Sequence, residues 1–322
     1  MELDACSVAP PSWRRQTINS VCTKFTSGGT PSRSKPEYYN YGTIPWVKTK
    51  ELLDQRLERT EEAITEKAVT NSSAKVLPAD TILLAMYGAT VGQLGILAKP
   101  MACNQACAAM VVNPASADRD YLFYQLLWHR GQIKGLATGA AQQNLSGVQI
   151  KSFVLPFPDL SEQQRIGSTL RALDDKIDLN RRMNETLEQT ARAIFKDWFV
   201  DFGPTRAKMV GQEAYLSEDL WALFPERLNE AGVPEGWESF RLDQLAEHHK
   251  GSVTPLKALK TVFEHYSLPA FDSGQTPVLD EGASIKSNKT AIPKGGVLLS
   301  KLNPEIPRVW LPHESSGYPQ VA

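Results

Sequence analysis

Several loops of this 322-residue sequence carry side chains that could contact a nucleic acid. Arginine and lysine pair with phosphates, arginine also fits the edge of guanine, and the amides of asparagine and glutamine fit adenine. Glycine-rich stretches such as MYGATVGQ would let the backbone approach a ligand closely. The candidate residues for DNA contact are Arg33, Lys35, Tyr38, Lys48, Lys50, Tyr87, Thr90, Gln93, Gln142, Gln143, Asn144, His248 and Lys250.

A catalytic constellation is harder to find in the same sequence. An amino-methyltransferase would need an (N/D)PP(Y/F) loop, and the nearest string, Asn303-Pro304-Glu305-Ile306, lacks the second proline and the aromatic residue. The stretch GTIPWVKT ends like a phosphate-binding loop, but Val47 stands where that loop requires glycine. His248 and His249 are adjacent, so their side chains would diverge in either regular structure. We therefore expect a non-catalytic chain with no metal or cofactor of its own.

Composition narrows the class of protein. Hydrophobic residues make up 42% of the chain and charged residues 22%, as in ordinary globular proteins. The net charge of −1 argues against a protein that coats DNA by charge alone, and leaves room for a local basic face. Four cysteines are too few for a disulfide framework. No apolar run is long enough for a membrane span and no secretion signal is evident, so a cytoplasmic location is expected.

A long-period duplication is visible along the chain. Trp13 and Trp237 are 224 residues apart, and Thr30-Pro31 and Thr254-Pro255 keep that offset. Later, LPADTILLAMYG matches IPKGGVLLSKLN with an offset of 215. At this offset Ala322 matches residue 107, so the second copy is expected to be incomplete.

The first copy predicts an α+β module with mixed short strands and helices. Short apolar runs rich in β-branched or aromatic residues and bounded by Gly, Pro and Asn predict strands. Apolar residues at helical spacing predict a helix. The predicted strands cover residues 43–47, 81–87, 108–112 and 153–155, and the predicted helix covers residues 120–136.

One long amphipathic helix is predicted near the middle of the chain. Ser161 and Gln164 have the spacing of a capping box, and Gly203-Pro204 would end the helix. Forty residues extend about 60 Å, too far to bury one stripe on a small domain, so a partner helix of similar length is expected. A core helix of one globular domain is the alternative. The stripe residues are Ile166, Leu170, Leu173, Ile177, Leu187, Ala191, Ile194 and Trp198.

Several strings together resemble one family. The segments LATGAAQQNLSGVQIKSFVLPFPDLSEQQRIGSTLRALDDKID, ARAIFKDWFVDFGPTRAK and LFPERLNEAGVPEGWE are similar to the DNA-specificity (S) subunit of Type I restriction-modification systems. GGTPSRSKPEYYNYGTIPWVKTKEL resembles the start of a target recognition domain of that family. The resemblance covers nearly the whole chain, and PFPDLSEQQRI and IFKDWFVDF are its most specific parts.

This resemblance implies a domain plan. Target recognition domain 1 would occupy residues 1–157, a conserved spacer helix 158–203, a linker 204–236 and a partial target recognition domain 2 residues 237–322. In such subunits two spacer helices pair antiparallel and set the distance between two half-sites. Because the second spacer helix is missing here, the resemblance also implies an unpaired apolar stripe and self-association through it.

The resemblance further implies a function and partners. The chain would read a bipartite site on double-stranded DNA and seat methyltransferase subunits, which carry S-adenosylmethionine. Through them it would join a restriction and motor subunit that uses ATP and Mg. Two alternatives come from other classes: a truncated remnant that acts only through its helix without specific DNA binding, and an autonomous modification enzyme, which the missing motifs disfavour.

Overall fold

A computed structural model describes residues 10–137, 144–313 and 317–322. The chain forms two compact units, Met1–Ile194 and Phe195–Ala322, called unit 1 and unit 2 below. The division falls inside the long helix, and the domain boundaries expected from the resemblance stay a prediction. Within the described ranges, no helix combines the length and apolar character needed to cross a bilayer.

Unit 1 combines short strands with short helices. Its strands are β1 (Arg14–Thr17), β2 (Cys22–Ser27), β3 (Ile44–Val47), β4 (Gln55–Leu57), β5 (Ala63–Ile64), β6 (Val76–Leu77), β7 (Ile82–Ala85), β8 (Leu94–Leu97), β9 (Met101–Cys103), β10 (Cys107–Val112) and β11 (Val154–Phe157). Its helices are α1 (Glu66–Thr70), α2 (Arg119–Trp128), α3 (Arg130–Gly135) and α4 (Gly147–Ser152), followed by the long helix α5 (Leu160–Phe199). The predicted mixed α and β composition is confirmed.

Two sheets organise unit 1. The five-stranded sheet has the order β2-β10-β7-β8-β4, and the four-stranded sheet the order β5-β3-β9-β6. The central strand β7 is buried along its whole length, which explains why it reads as ILLA without alternation. One face of the five-stranded sheet packs against residues of α2 and α3 in the main core. The other face, with Leu83 and Ala109, joins a second core that includes Val47 of β3 and Met101 of β9.

The predicted helix over residues 120–136 is two helices. The first ends at Trp128, and His129 leaves helical geometry with φ −88° and ψ 10°. The imidazole Nδ1 of His129 lies 2.9 Å from the Gln125 carbonyl, one turn back, and the ring is buried against Phe153. The prediction missed this break because the apolar spacing continues across it.

The N-terminal cap of the long helix is not the predicted one. Asp159, not Ser161, accepts the Glu162 N–H at 2.9 Å and also the Ser161 hydroxyl at 2.7 Å. These two hydrogen bonds lower the pKa of the Asp159 carboxyl, and its negative charge suits the positive end of the helix. Ser161 therefore lies within the first turn, and the predicted capping box was wrong.

The helix ends before the predicted Gly203-Pro204 stop. Its last residue is Phe199, and the N–H groups of Val200 and Asp201 both donate to the Lys196 carbonyl. Phe202 then takes a left-handed conformation with φ 55°. This turn satisfies the Lys196 carbonyl near the end of the helix, and the helix ends without a proline.

Gln163 and Gly167 anchor the start of α5 to unit 1. The buried Gln163 side chain accepts the Asp118 N–H at 2.9 Å and donates to the Pro158 carbonyl at 3.0 Å. A Cβ on Gly167 would lie 2.8 Å from the Tyr121 backbone nitrogen, so glycine permits the close approach of α2. The helix is thus fixed at its base by polar contacts.

Replacing Gln163 by alanine is expected to destabilise unit 1 by about 2–4 kcal/mol, because two buried backbone groups would lose their partners at about 1–3 kcal/mol each. Gln164 is the matched control: it is the next residue of the same helix and is exposed, so Gln164→Ala should be nearly neutral. Chemical denaturation of both variants measures the difference. Equal stability of the two variants would contradict the anchoring role.

The apolar stripe of α5 is open in its middle. Ile166 packs against the core of unit 1, and Trp198 packs against Phe224 within unit 2, with ring centroids 5.6 Å apart. Between them Leu173 and Leu187 are 56% and 59% exposed. The alternative of a core helix is therefore wrong for the middle of α5. The other exposed large apolar residues in this stretch are Ile177, Leu179, Met183, Ile194 and Phe195.

Unit 2 is smaller and less regular. Its strands are β12 (Ser252–Val253), β13 (Val262–His265), β14 (Val278–Glu281), β15 (Lys289–Thr290), β16 (Leu298–Leu299), β17 (Val309–Trp310) and β18 (Gln320–Val321). Its helices after α5 are α6 (Gly203–Met209), α7 (Glu218–Ala222), α8 (Leu242–Leu245) and α9 (Leu268–Asp272). The sheets are β12-β15, β14-β13-β18 and β16-β17.

The strand registers of the two units support the duplication. In unit 1, Leu83 pairs with Gly95 across β7 and β8; in unit 2, Leu298 pairs with Trp310 across β16 and β17. Both members of the second pair lie 215 residues after those of the first, which is the offset found in the sequence. Identical pairing at this offset means that the two copies share a strand arrangement as well as a sequence pattern.

A second strand pair corrects the alignment near the end of the second copy. Trp46 pairs in parallel with Ala102 across β3 and β9, and Glu264 pairs in parallel with Gln320 across β13 and β18. The offset here is 218, because ten positions separate Trp310 from Gln320 whereas seven separate Gly95 from Ala102. Ala322 therefore matches Asn104, not residue 107.

Candidate nucleic-acid interface

Loops meet at one end of the five-stranded sheet of unit 1, which we call the loop end. They follow β2 and β7, precede β10, and include the segment around Asn144, which forms an isolated antiparallel bridge with Tyr87. Antiparallel pairing forces this meeting, because the last residues of β2 and β7 lie beside the first residues of β10. The joining hydrogen bonds run from the Gly28 N–H to the Cys107 carbonyl (3.2 Å), from Met86 to Ala106 (2.8 Å) and from Leu145 to Met86 (2.9 Å).

Side chains with amides and hydroxyls are concentrated at the loop end. Asn144 is exposed and Tyr87 is half-buried beside it. Gln105, in the turn before β10, is also exposed, and its side-chain oxygen accepts the Thr30 hydroxyl. Sequence reasoning missed Gln105, because only the sheet joins its turn to Met86, to which Leu145 is also hydrogen-bonded. An exposed amide of this kind can read a base edge.

Two candidate residues of the glycine-rich loop, Thr90 and Gln93, form hydrogen bonds within that loop. The Thr90 hydroxyl donates to the Tyr87 carbonyl at 3.3 Å, and the Gln93 N–H donates to the Thr90 carbonyl at 2.9 Å. Gln93 is half-buried and its side-chain oxygen is buried, so its amide is less accessible than that of Asn144. Gln142 and Gln143, predicted beside Asn144, lie outside the described residues.

The predicted basic residues near β3 belong to an ion-pair network. Lys48 lies 2.7 Å from Glu62 and 3.0 Å from Glu61, and Lys50 lies 2.7 Å from Glu61. Antiparallel pairing of β3 with β5 brings these carboxylates to the lysines. Lys48 and Lys50 were predicted as cations available to DNA. The structure shows both in ion pairs with carboxylates more than ten positions later in the sequence, while the Lys50 side chain stays 59% exposed.

Arg33 is held in place but keeps an accessible side. Its guanidinium lies 2.6 Å from Glu62 and 4.3 Å from the ring centre of Tyr39, while its side chain is 55% exposed. The Trp46 ring also lies under it, at 5.2 Å, and the indole N–H donates to the Gly29 carbonyl at 3.0 Å. A guanidinium fixed by rings and a carboxylate is preorganised for a bidentate contact.

Of the neighbouring candidates Tyr38 and Lys35, the tyrosine is part of the core and the lysine is exposed. Tyr38 is only 4% exposed and belongs to the core that contains Trp46, so its ring cannot stack on a base, and we remove it from the candidate interface. Lys35 is exposed and donates to the Tyr38 hydroxyl at 3.2 Å. The sequence alone could not separate Tyr38 from Tyr39, because both precede a turn.

The carboxylate of Glu62 makes the network sensitive to pH. Hydrogen bonds from Arg33 and then Lys48 lower the pKa of Glu62 below its ordinary value of 4.5. A carboxyl whose pKa is lowered by folding adds stability above its ordinary pKa and loses that contribution as the pH falls through the folded value.

Glu62→Gln is therefore expected to melt a few degrees below the wild type at pH 7, with the gap closing as the pH falls below about 4. Thermal melts of both proteins between pH 3 and pH 7 measure this convergence. Glu58→Gln is the control, since Glu58 is exposed and forms no ion pair among the described residues. A gap that stays constant with pH would contradict the assignment.

The candidates in unit 2 lie on an irregular segment. His248 and Lys250 follow α8 and are exposed. The Nε2 of His248 lies 3.4 Å from the Lys301 ammonium. Among the described residues no group of three or more His, Cys, Asp and Glu side chains is arranged to hold a metal ion.

Comparison with known proteins finds one family domain and several related sequences. The Type I restriction modification DNA specificity domain matches residues 10–189. The Type I restriction enzyme MjaIX specificity subunit of Methanocaldococcus jannaschii is 30% identical over 265 residues, which cover 81% of this chain and 57% of that protein. The EcoR124I/EcoR124II specificity subunit of Escherichia coli is 29% identical over 156 residues, which cover 47% of this chain and 38% of that protein.

The chain thus belongs to the Type I restriction-modification DNA specificity family, as its sequence motifs indicated. It spans about half the length, or less, of these curated relatives. A crystal structure of the Type I restriction-modification S subunit from M. genitalium overlaps it with a TM-score of 0.41 and 21% identity, covering 67% of this chain and 51% of that one.

Proposed function

We propose that this chain is a non-catalytic DNA sequence-recognition subunit of a Type I restriction-modification complex. Its family membership supports DNA recognition in general. The observation that carries the proposal is that unit 1 contains both the polar loop end and most of α5, whose apolar stripe is exposed. Arg33, Gln105 and Asn144 supply donors and acceptors that match base edges.

The open stripe of α5 would be the assembly surface. Exposed leucines and isoleucines over several turns are unusual on a free helix and favour a partner helix. We propose that this surface docks methyltransferase subunits and a second spacer helix, which a second copy of the chain can supply. The methyltransferase partners would carry S-adenosylmethionine, and a restriction and motor subunit would bring ATP and Mg.

Genome-wide mapping of base modification, after co-expression with the cognate methyltransferase subunit, tests this function. A bipartite modified motif is expected. A palindromic motif would mean that two copies pair and unit 1 reads both halves, whereas an asymmetric motif would mean that unit 2 reads one half. No motif, with both proteins soluble, would overturn the proposal and leave the helix-only remnant.

An Arg33→Ala, Asn144→Ala variant is the matched test of the loop end. It should lose or relax the motif while still co-purifying with the methyltransferase subunit, because neither side chain belongs to the open stripe of α5. Each lost base contact is expected to cost about 1–3 kcal/mol of discrimination. Retention of the wild-type motif would place base reading elsewhere.

A further inference from the structure

Three lysines surround the edge strand β2, and we call them the lysine strip: Lys24, Lys75 and Lys151. Lys24 lies on β2 itself, and β2 is the outer strand of the five-stranded sheet. The Lys75 ammonium donates to the Thr26 hydroxyl of β2 at 3.0 Å, and the Lys151 ammonium lies 5.2 Å from the ring centre of Phe25. Three separate parts of the chain thus bring a cation to one strand.

The lysine strip differs electrostatically from Arg33, Lys48 and Lys50. All three side chains are exposed, and within the described part of the chain none of them forms an ion pair. Arg33, Lys48 and Lys50, in contrast, each pair with Glu61 or Glu62. In a chain with net charge −1, the strip is a local excess of positive charge.

The position of the strip suits a phosphate backbone beside the loop end. Lys24 and Thr26 are two residues apart, about 7 Å along an extended strand. Phosphates two nucleotides apart on one DNA strand are separated by about the same axial distance, at roughly 3.4 Å per nucleotide. β2 then runs directly into the Gly28 loop, which is hydrogen-bonded to the residues at the start of β10.

We propose that the lysine strip binds phosphates of the DNA backbone along β2 and so positions the loop end over the bases. This inference rests on the proposed function and names the surface that supplies its sequence-independent affinity. Lysine at a sheet edge also discourages edge-to-edge association, so that role is the competing explanation.

The test is the salt dependence of DNA binding by the full chain in complex with its methyltransferase subunit. Fluorescence anisotropy would compare a duplex containing the mapped motif with a scrambled duplex of equal length. In Lys24→Gln, Lys75→Gln, Lys151→Gln the slope of log K against log salt should fall by about 2–3, since each phosphate contact contributes roughly 0.9. Both duplexes should weaken by a similar factor, and the motif should not change.

Two controls separate the outcomes. Lys99→Gln removes an exposed lysine beyond the opposite end of the sheet, after β8, and should leave the slope unchanged. Each single strip variant should lower the slope by about 1, which distinguishes direct contact from misfolding of the triple variant. Sedimentation would reveal aggregation of the variants.

If the slope is unchanged in the triple variant and specific binding is intact, the lysine strip does not bind phosphates, while the proposed function stands. Aggregation together with an unchanged slope would assign the lysines to edge protection instead. If the wild-type complex itself fails to prefer the motif duplex, the proposed function fails, whatever the strip variants do.

Discussion

The double variant Leu173→Glu, Leu187→Glu is expected to weaken association through α5 by at least about 100-fold. Both side chains lie in the open stripe and are more than half exposed. Burying a leucine contributes about 1.5–3 kcal/mol, and a tenfold change in affinity corresponds to about 1.4 kcal/mol. Losing two leucines and burying two carboxylates in their place would together exceed the free energy for a hundredfold loss.

Sedimentation velocity of the chain alone, followed by co-purification with the methyltransferase subunit, measures this effect. Thr186→Glu, Gln189→Glu is the matched control, because it adds the same two charges to exposed positions between the stripe residues. Circular dichroism should show the same helicity in all variants. A double leucine variant that still associates as the wild type would show that the stripe is not the assembly surface.

Gly28→Ala is expected to destabilise unit 1 by roughly 3 kcal/mol or more, because backbone atoms, not flexible side chains, occupy the space of the new methyl group. A Cβ at Gly28 would lie 2.1 Å from the Cys103 carbonyl oxygen and 2.3 Å from that of Asn104. The clash lies where β2 enters the loop end, so specific DNA binding should fall together with stability. Thermal and chemical denaturation measure the first effect.

Gly135→Ala provides the comparison for Gly28→Ala. Nothing lies within 4 Å of a Cβ at Gly135, which is the last residue of α3. Alanine there should be neutral or slightly stabilising, since alanine favours helix over glycine by up to about 1 kcal/mol. If Gly28→Ala were as stable as Gly135→Ala, the close packing of the loop end would be contradicted.

Local patterns in the sequence predicted the larger features well. The repeat of apolar residues every three or four positions predicted one helix through the middle of the chain, and α5 occupies residues 160–199. The apolar run over residues 81–87 predicted a strand. The structure has β7 there, although it covers only Ile82–Ala85. Both features depend on residues close together in sequence, and such interactions are visible without a fold.

The details at the ends of elements were less predictable. Ser161 had the spacing of a cap, but Asp159 is the cap, because a charged carboxylate two residues earlier is the better acceptor. No pattern in the sequence distinguishes Gln163 from its neighbour Gln164. In the structure Gln163 is buried and hydrogen-bonded to the Asp118 N–H. That contact spans 45 positions.

The sequence by itself determined the family, the duplication and the long helix, because motifs, repeats and helical periodicity are properties of neighbouring residues. Only the tertiary structure decided which candidate side chains are accessible. β3–β5 pairing placed Lys48 and Lys50 in ion pairs, and core packing enclosed Tyr38. The arrangement of strands around β10 brought the turn of Gln105 and the segment of Asn144 to neighbouring residues after β7, since contacts between distant segments depend on which strands pair and not on local spacing.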